Sequence, residues 1–398
     1  MLQTPPLAPP LEGRGEQTRE AETSAEEGRR EENLDETTIV VFASGDPLFF
    51  GFANTLRREF PGSAMRVYPA FNSLQMLAHR KLMPYQDMRI VSLTGRPWQE
   101  LDRALIERAQ LIGILTDREK TPAAIARRCM EYGYEGYRVI VGEKLGNPEK
   151  ERVSELTITE AAEKEFNMPN CVILSRKEES LRTSEDRRWG EKHNLLTSRP
   201  GVLRPFGIPD SEFALLDGRE KMITKMPIRL LTLQKLELPR ASVFWDVGAC
   251  TGSVSIEARL LFPHLRVVAF EIRPDCEGII RENCRRHGAP GIEVVTGDFL
   301  CCCDGAAAYA KPDAVFIGGH GGKLKEIMAK VVTVLAEGGV IVFNSVDSPV
   351  VRQMTERPSS RQLWDEACEE LGLEQRPPLR IQLNDYNPIE ILSARKDV

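Results

Sequence analysis

The stretch Val243-Phe-Trp-Asp-Val-Gly-Ala-Cys-Thr-Gly-Ser253 constrains the fold more than any other part of the chain. A short apolar run, read as a buried strand, contains Asp246 near its end. A turn bracketed by Gly248 and Gly252 follows, and Ser253-Val-Ser-Ile-Glu-Ala-Arg-Leu-Leu261 then has the spacing of a helix. Strand, tight glycine turn and helix together let a nucleoside-bearing ligand lie against bare backbone at the carboxyl edge of a parallel sheet. Glycine suits such a turn because a side chain would hold the ligand off, and because the backbone there often needs φ above zero.

At 398 residues the chain exceeds one core, and two domains with tails are expected. Apolar residues make up 41% of it, ample for two globular cores. A net charge of −6 gives no overall attraction to nucleic acid or to anionic membranes. No apolar run reaches bilayer length. The amino terminus lacks the apolar core of a secretory signal and is too acidic for a transit peptide. Nine cysteines without metal-finger spacing suit a reducing compartment. Cys301, Cys302 and Cys303 are adjacent and so poorly placed to converge on one ion; no metal is expected. The expectation is a cytoplasmic protein, without nucleic-acid or membrane partners, assembled as a homo-oligomer.

Residues 1–36 carry paired prolines, glutamates and arginines with almost no large apolar groups, and read as a disordered acidic tail. From residue 37 to 176 strands and helices alternate. Strands are expected at Thr37–Ala43, Met65–Tyr68, Arg89–Leu93, Leu111–Asp117, Tyr137–Glu143 and Cys171–Ser175. Apolar groups at helical spacing mark Phe52–Phe60. Thr121-Pro122 opens a second helix with a capping hydroxyl and a proline at its first position, and Gly133 stands where it should stop. That alternation predicts an α/β domain with a largely parallel sheet. Residues 177–200 are charged and read as a linker.

From 201 to 398 a second, Rossmann-like doubly wound domain is expected. A polar lead-in at 207–213 runs to a helix starting near Met222. Strands follow at Val243–Val247, Leu265–Glu271, Ile292–Asp298, Pro312–Gly319 and Gly339–Asn344. A dinucleotide turn wants G-x-G-x-x-G, and here the register gives Gly248, Cys250 and Ser253, so two of the three glycines are missing. What remains is Asp246 before the turn, and carboxylates at the ends of the next two strands. Glu271 can accept from both hydroxyls of a ribose, and Asp298 from an adenine amino group. Asp246 can orient the turn or face an ammonium through water. This set fits S-adenosylmethionine better than a dinucleotide. Gly318-Gly-His-Gly-Gly322 makes a backbone-rich surface beside that turn, suited to a large flat substrate, with His320 as a hydrogen-bonding or proton-transfer group.

Several stretches coincide with one family. Gly207–Phe213, Ile223–Arg229, Asp246–Ser253, Arg286-His-Gly288, Gly297-Asp298, the 318–322 loop and Asn387–Leu392 resemble the C15-methylating, decarboxylating domain of the precorrin-6B (precorrin-6Y) C5,15-methyltransferases. Ser44–Gly51, Ser92–Arg96, Leu115–Asp117 with Thr121-Pro122, and Gly142–Pro148 resemble its fusion partner, a C5-methylating domain of the tetrapyrrole methylases. The resemblance implies that Thr224, Gly248, Ala249, Cys250, Thr251, Gly252, Glu271, Asp298 and Phe299 contact S-adenosylmethionine in the second domain. In the first it points to Gly45, Asp46, Leu48 and Thr116. It departs in places: Cys250 replaces a glycine, His320 a frequent serine, and Thr94 a frequent histidine. The family's opening strand and Gly-Pro-Gly-Asp loop have no counterpart before Gly45, so the resemblance implies an incomplete first domain, its sheet left with an unpaired edge or an exposed core.

The resemblance implies methylation at C5 and C15 of a precorrin or cobalt-precorrin macrocycle, with decarboxylation of an acetate side chain, in cobalamin biosynthesis. Lys225 and Arg229 are expected to pair with substrate carboxylates, and with His320 they form the catalytic expectation. The alternative is a methyltransferase of the same fold acting on RNA or protein, its first domain only a docking or dimerisation module.

Overall fold

The computed structural model describes residues 39–43, 45–176, 207–217, 222–302, 309–346, 358–383 and 387–397. The chain divides into a unit of residues 1–43 and a unit of residues 44–398. In the first unit, residues 39–43 form no strand, and Ile39 to Phe42 are exposed. This corrects the strand expected there. β-branched side chains make a strand only where a neighbour takes up the backbone groups, and none does among the described residues. The acidic tail at 1–36 and the linker at 177–200 lie outside the described residues.

The second unit holds two sheets. The first contains β1 (Arg89–Ser92), β2 (Leu111–Leu115), β3 (Tyr137–Glu143), β4 (Arg152–Thr157) and β5 (Asn170–Arg176), in the order β1-β2-β5-β3-β4. Only β1 and β2 pair in parallel; the other three pairings are antiparallel. A largely parallel sheet is therefore not what forms. The 144–151 connection is too short for the crossover that parallel β3 and β4 would require. Met65–Tyr68 is no strand either, being flanked by Pro61-Gly62 and Pro69 with no sheet neighbour among the described residues. The helix Pro122–Glu131 forms as read: the Thr121 hydroxyl accepts from the Ala124 N–H at 3.2 Å. β1 is an edge strand.

The second sheet contains β6 (Val243–Val247), β7 (Arg266–Glu271), β8 (Ile292–Thr296), β9 (Ala314–Ile317), β10 (Val340–Val346), β11 (Glu374–Gln375), β12 (Leu379–Ile381) and β13 (Ile389–Arg395). Its order is β11-β13-β10-β9-β6-β7-β8, with β12 also on β13. β6 to β10 are mutually parallel, and β13 runs antiparallel along β10. Alternate residues of the central strands go to opposite faces. Trp245 and Val315 pack under the helices Leu324–Val334 and Ser360–Glu370, while Phe244 and Phe316 meet Met226–Lys235 and Ser253–Leu261. From β6 the chain moves one way to β7 and β8 and the other way to β9 and β10. The β6/β9 boundary is therefore the switch point, outside whose carboxyl ends ligands bind in such sheets. No helix among the described residues is long and apolar enough to cross a membrane.

The two sheets meet through groups at the amino ends of β7 and β8. The Tyr134 hydroxyl donates to the Gly288 carbonyl at 2.7 Å. Asp102 takes a bidentate pair from Arg128 at 2.6 and 2.7 Å and lies against Gly291, where a Cβ would stand 2.8 Å from its carboxylate. Arg259 fixes the same corner by donating to the carbonyls of Pro290 and Leu265. Asp102 is buried, so removing its partner strands a carboxylate away from water. Arg128→Ala should cost about 3–5 kcal/mol, measured as a lower urea midpoint of unfolding.

Candidate active site

A cavity of about 540 Å³ opens at the switch point. Its floor is the turn after β6. There the Gly248 and Ala249 N–H groups donate to the Phe270 carbonyl at 2.8 and 3.1 Å, and the Cys250 N–H donates to Glu271 at 2.8 Å. The end of β7 thus takes up the N–H groups of all three residues. Bareness matters at Gly248 for another reason. Its φ is +79°, and a Cβ would lie 2.6 Å from the Gly319 nitrogen and 2.7 Å from the Gly319 oxygen. The turn after β6 and the loop after β9 touch backbone to backbone. Cys250 adopts a left-handed φ of +50° despite its side chain, and its thiol donates to the Met222 carbonyl at 3.2 Å. That bond draws the 222–225 segment onto the turn. Burial pushes the thiol up to about 12, which makes it unreactive.

Two buried carboxylates face the cavity differently. Glu271, 2% exposed, accepts from the Cys250 and Arg273 N–H groups and from the Arg273 guanidinium. Each carboxylate oxygen has two lone-pair directions; three of the four are taken, and one on Oε2 is left to accept from a ligand hydroxyl. Asp246, 1% exposed, takes the Ser255 N–H and hydroxyl on one oxygen, while its Oδ1 has no partner among the described residues. Desolvation, with Glu271 nearby, raises its pKa to about 7 despite the Ser255 bonds. At the mouth Asp298 accepts from the Leu300 N–H and from Lys323 at 2.9 Å; the Lys323 bond holds its carboxyl below the usual range.

Of the residues expected at the cofactor, Thr224, Asp246, Gly248, Ala249, Cys250, Thr251, Glu271, Asp298 and Phe299 line the cavity. Gly252 does not; at φ +73° it backs onto Ile280 and starts the following helix. Lys225 and His320 line it as well. Arg229 is the correction. Fully buried, it donates to Glu257, Asp210 and the carbonyls of Thr224 and Ile208, and stacks over Phe213. Its charge is spent on Glu257 at 2.6 Å and Asp210 at 3.1 Å, so it positions the lead-in segment and does not reach a substrate. Arg273, Lys323 and Asn344 also line the cavity and went unnoticed in the sequence, and so does Asn387, marked there only as the start of a resembling stretch. Asn344 was findable by the rule that marked Glu271, because it ends the apolar run of β10.

The first-half residues gather elsewhere, at the carboxyl ends of β1 and β2. Gly45 has φ +73°, the Asp46 carboxylate accepts from the Leu48 N–H at 2.9 Å, and Leu48 is half exposed. Arg96 lies over the Phe50 ring at 5.0 Å, and the Gly95 N–H reaches Asp117, joining that loop to the end of β2. The Thr116 hydroxyl turns inward to Asn170 at 2.7 Å, and the Thr94 hydroxyl donates to the Thr116 carbonyl.

The profile described as "Precorrin methyltransferase domain" matches residues 217–358, and that of "Tetrapyrrole (Corrin/Porphyrin) Methylases" matches residues 3–162, a span beginning inside the stretch read as a tail. A precorrin-6Y C(5,15)-methyltransferase [decarboxylating] of a Sinorhizobium species is 30% identical over 308 residues, 77% of this chain and 68% of the relative. The chain belongs to this family. A cobalt-precorrin-6B C(15)-methyltransferase (decarboxylating) of Salmonella typhimurium is 34% identical over 184 residues, 46% of this chain and 93% of its own. A solved precorrin-6y C5,15-methyltransferase from Geobacter metallireducens is 35% identical, covering 48% of this chain and 98% of its own at a TM-score of 0.40. The two family models fall on the two halves of the chain, each of which holds one of the two α/β sheets.

Two outcomes are expected at this site. Gly248→Ala drives a methyl group into the Gly319 backbone and should weaken S-adenosylmethionine binding at least about tenfold, measured by calorimetry. A cation arriving at Asp246 lowers its raised pKa, so binding releases a proton and affinity climbs as pH rises through about 7. In Asp246→Asn, calorimetry in buffers of different ionisation enthalpy should show that proton release gone.

Proposed function

We propose that the chain methylates C5 and C15 of a precorrin-6B-type macrocycle, metal-free or cobalt-bearing, with loss of carbon dioxide from an acetate side chain, as a step of cobalamin synthesis. The observation that carries this reading is the cavity at the switch point, floored by the Gly248–Gly252 turn and held on Glu271. Its residues fit S-adenosylmethionine: the remaining lone pair of Glu271 for a ribose hydroxyl, the unpartnered Oδ1 of Asp246 toward the methionyl ammonium, and Asp298 toward the adenine. When bound, that cofactor supplies an electrophilic methyl group.

The macrocycle brings its own nucleophilic carbon, so the protein's task is placement and exclusion of water. Gly318 and Gly319 let a flat ring approach the turn without side chains between them. Lys225, within 3.8 Å of Asp210, and Lys323 offer charge to the carboxylates that the substrate keeps. Arg229 anchors the segment carrying Thr224 and Lys225 through its bond to the Thr224 carbonyl. Methylation at C5 is assigned to the Gly45–Leu48 loop and Thr116 of the first half.

Mass spectrometry of products from the whole chain, given a precorrin-6B-type substrate and S-adenosylmethionine, tests this. Two added methyl groups and one lost carbon dioxide are expected. Glu271→Ala should remove the methylation assigned to the second half and the tight cofactor binding with it. An unaltered product pattern in that variant would sink the assignment.

A further inference from the structure

His320 sits between Gly319 and Gly321 in the loop after β9 and lines the cavity. Its Nδ1 accepts from the Gly322 N–H at 3.1 Å. A backbone amide can only donate, so Nδ1 presents its lone pair, and the proton of the neutral ring resides on Nε2. The ring is also held edge-on to Phe343, with centroids 5.6 Å apart and planes at 81°. Burial lowers its pKa, and a proton on Nδ1 would set two N–H groups against each other. His320 is thus a neutral ring whose remaining polar atom is an N–H donor, and among the described residues nothing accepts from it.

That neutrality matters for one of the two reactions. Loss of carbon dioxide breaks the bond between the methylene and carboxyl carbons of the acetate arm. The electron pair passes into the conjugated macrocycle, and a solvent proton ends on the methylene carbon, leaving a methyl group. The carboxylate must give up its negative charge as this happens. A cation paired with it holds the charge in place, because it adds a full charge–charge attraction to the hydrogen bond that a neutral N–H does not. The reacting carboxylate is therefore better held by a neutral donor than by Lys225 or Lys323.

We propose that His320, through its Nε2–H, orients the acetate carboxylate that leaves as carbon dioxide, while the lysines hold the carboxylates that stay. This rests on the decarboxylating methyltransferase reading above. His320→Phe should lower the ratio of decarboxylated to methylated product about tenfold, about the worth of one hydrogen bond. His320→Gln, whose side-chain amide still donates from a similar reach, should recover most of that ratio. An unchanged ratio in His320→Phe, or an equal fall of both products, overturns the proposal. Nitrogen-15 spectra of the histidine-labelled whole chain give a second readout, with the His320 signals identified by their loss in His320→Gln. The Nε2-protonated neutral tautomer is expected at neutral pH; the other tautomer, or an imidazolium, overturns it. Failure of the unmodified chain to transfer any methyl group would instead refute the underlying reading, and the spectra would still judge His320.

Discussion

The contact between Gly248 and Gly319 is what the site depends on. It joins the loops of two strands that are neighbours in the sheet and distant in the chain, at the one place where the connections diverge. Two backbones this close leave no volume for a side chain, and that lack of volume is what lets the cavity reach the strand ends. The surrounding polar groups are arranged around this approach. Glu271 fastens the turn from the β7 side through the Cys250 N–H, and Asp246 fastens the helix that follows through Ser255.

Those two carboxylates show how one environment yields different chemistry. Glu271 is buried among N–H donors and beside a guanidinium, which compensates its removal from water. Asp246 lies one strand away with a hydroxyl and one amide, and burial dominates. One is equipped to stay an acceptor, the other to respond to the charge of what binds. Arg229 illustrates the opposite economy. A guanidinium this deeply buried has every direction occupied, so it stabilises the shape of the lead-in and has nothing left for a substrate.

Much of the second half was legible because parallel strands buried on both faces read as plain apolar runs, and each one ended in a residue that proved to face the cavity. Glu271, Asp298 and the 318–322 loop were found that way. The antiparallel strands were not. β13 pairs with β10 along its whole length, yet no local signal in 389–395 says that the chain returns there. The first half misled for a related reason, since alternation of strands and helices was taken to mean parallel pairing, whereas the short 144–151 connection turns β4 back on β3 and β5 enters antiparallel between β2 and β3. Thr37–Ala43 and Met65–Tyr68 have strand composition, but composition supplies no partner. Arg229 was misplaced because adjacency in sequence to Thr224 and Lys225 says nothing about which way a helical side chain turns.

The corner where the two halves meet lies at the far end of the strands that carry the cavity. Asp102, Tyr134, Gly288 and Arg259 occupy the amino ends of β7 and β8, while the cavity opens at the carboxyl ends of the same sheet. None of these corner residues lines the cavity, so a substitution at the corner reaches it only through the strands themselves, by shifting the frame on which Glu271 and Thr296 end.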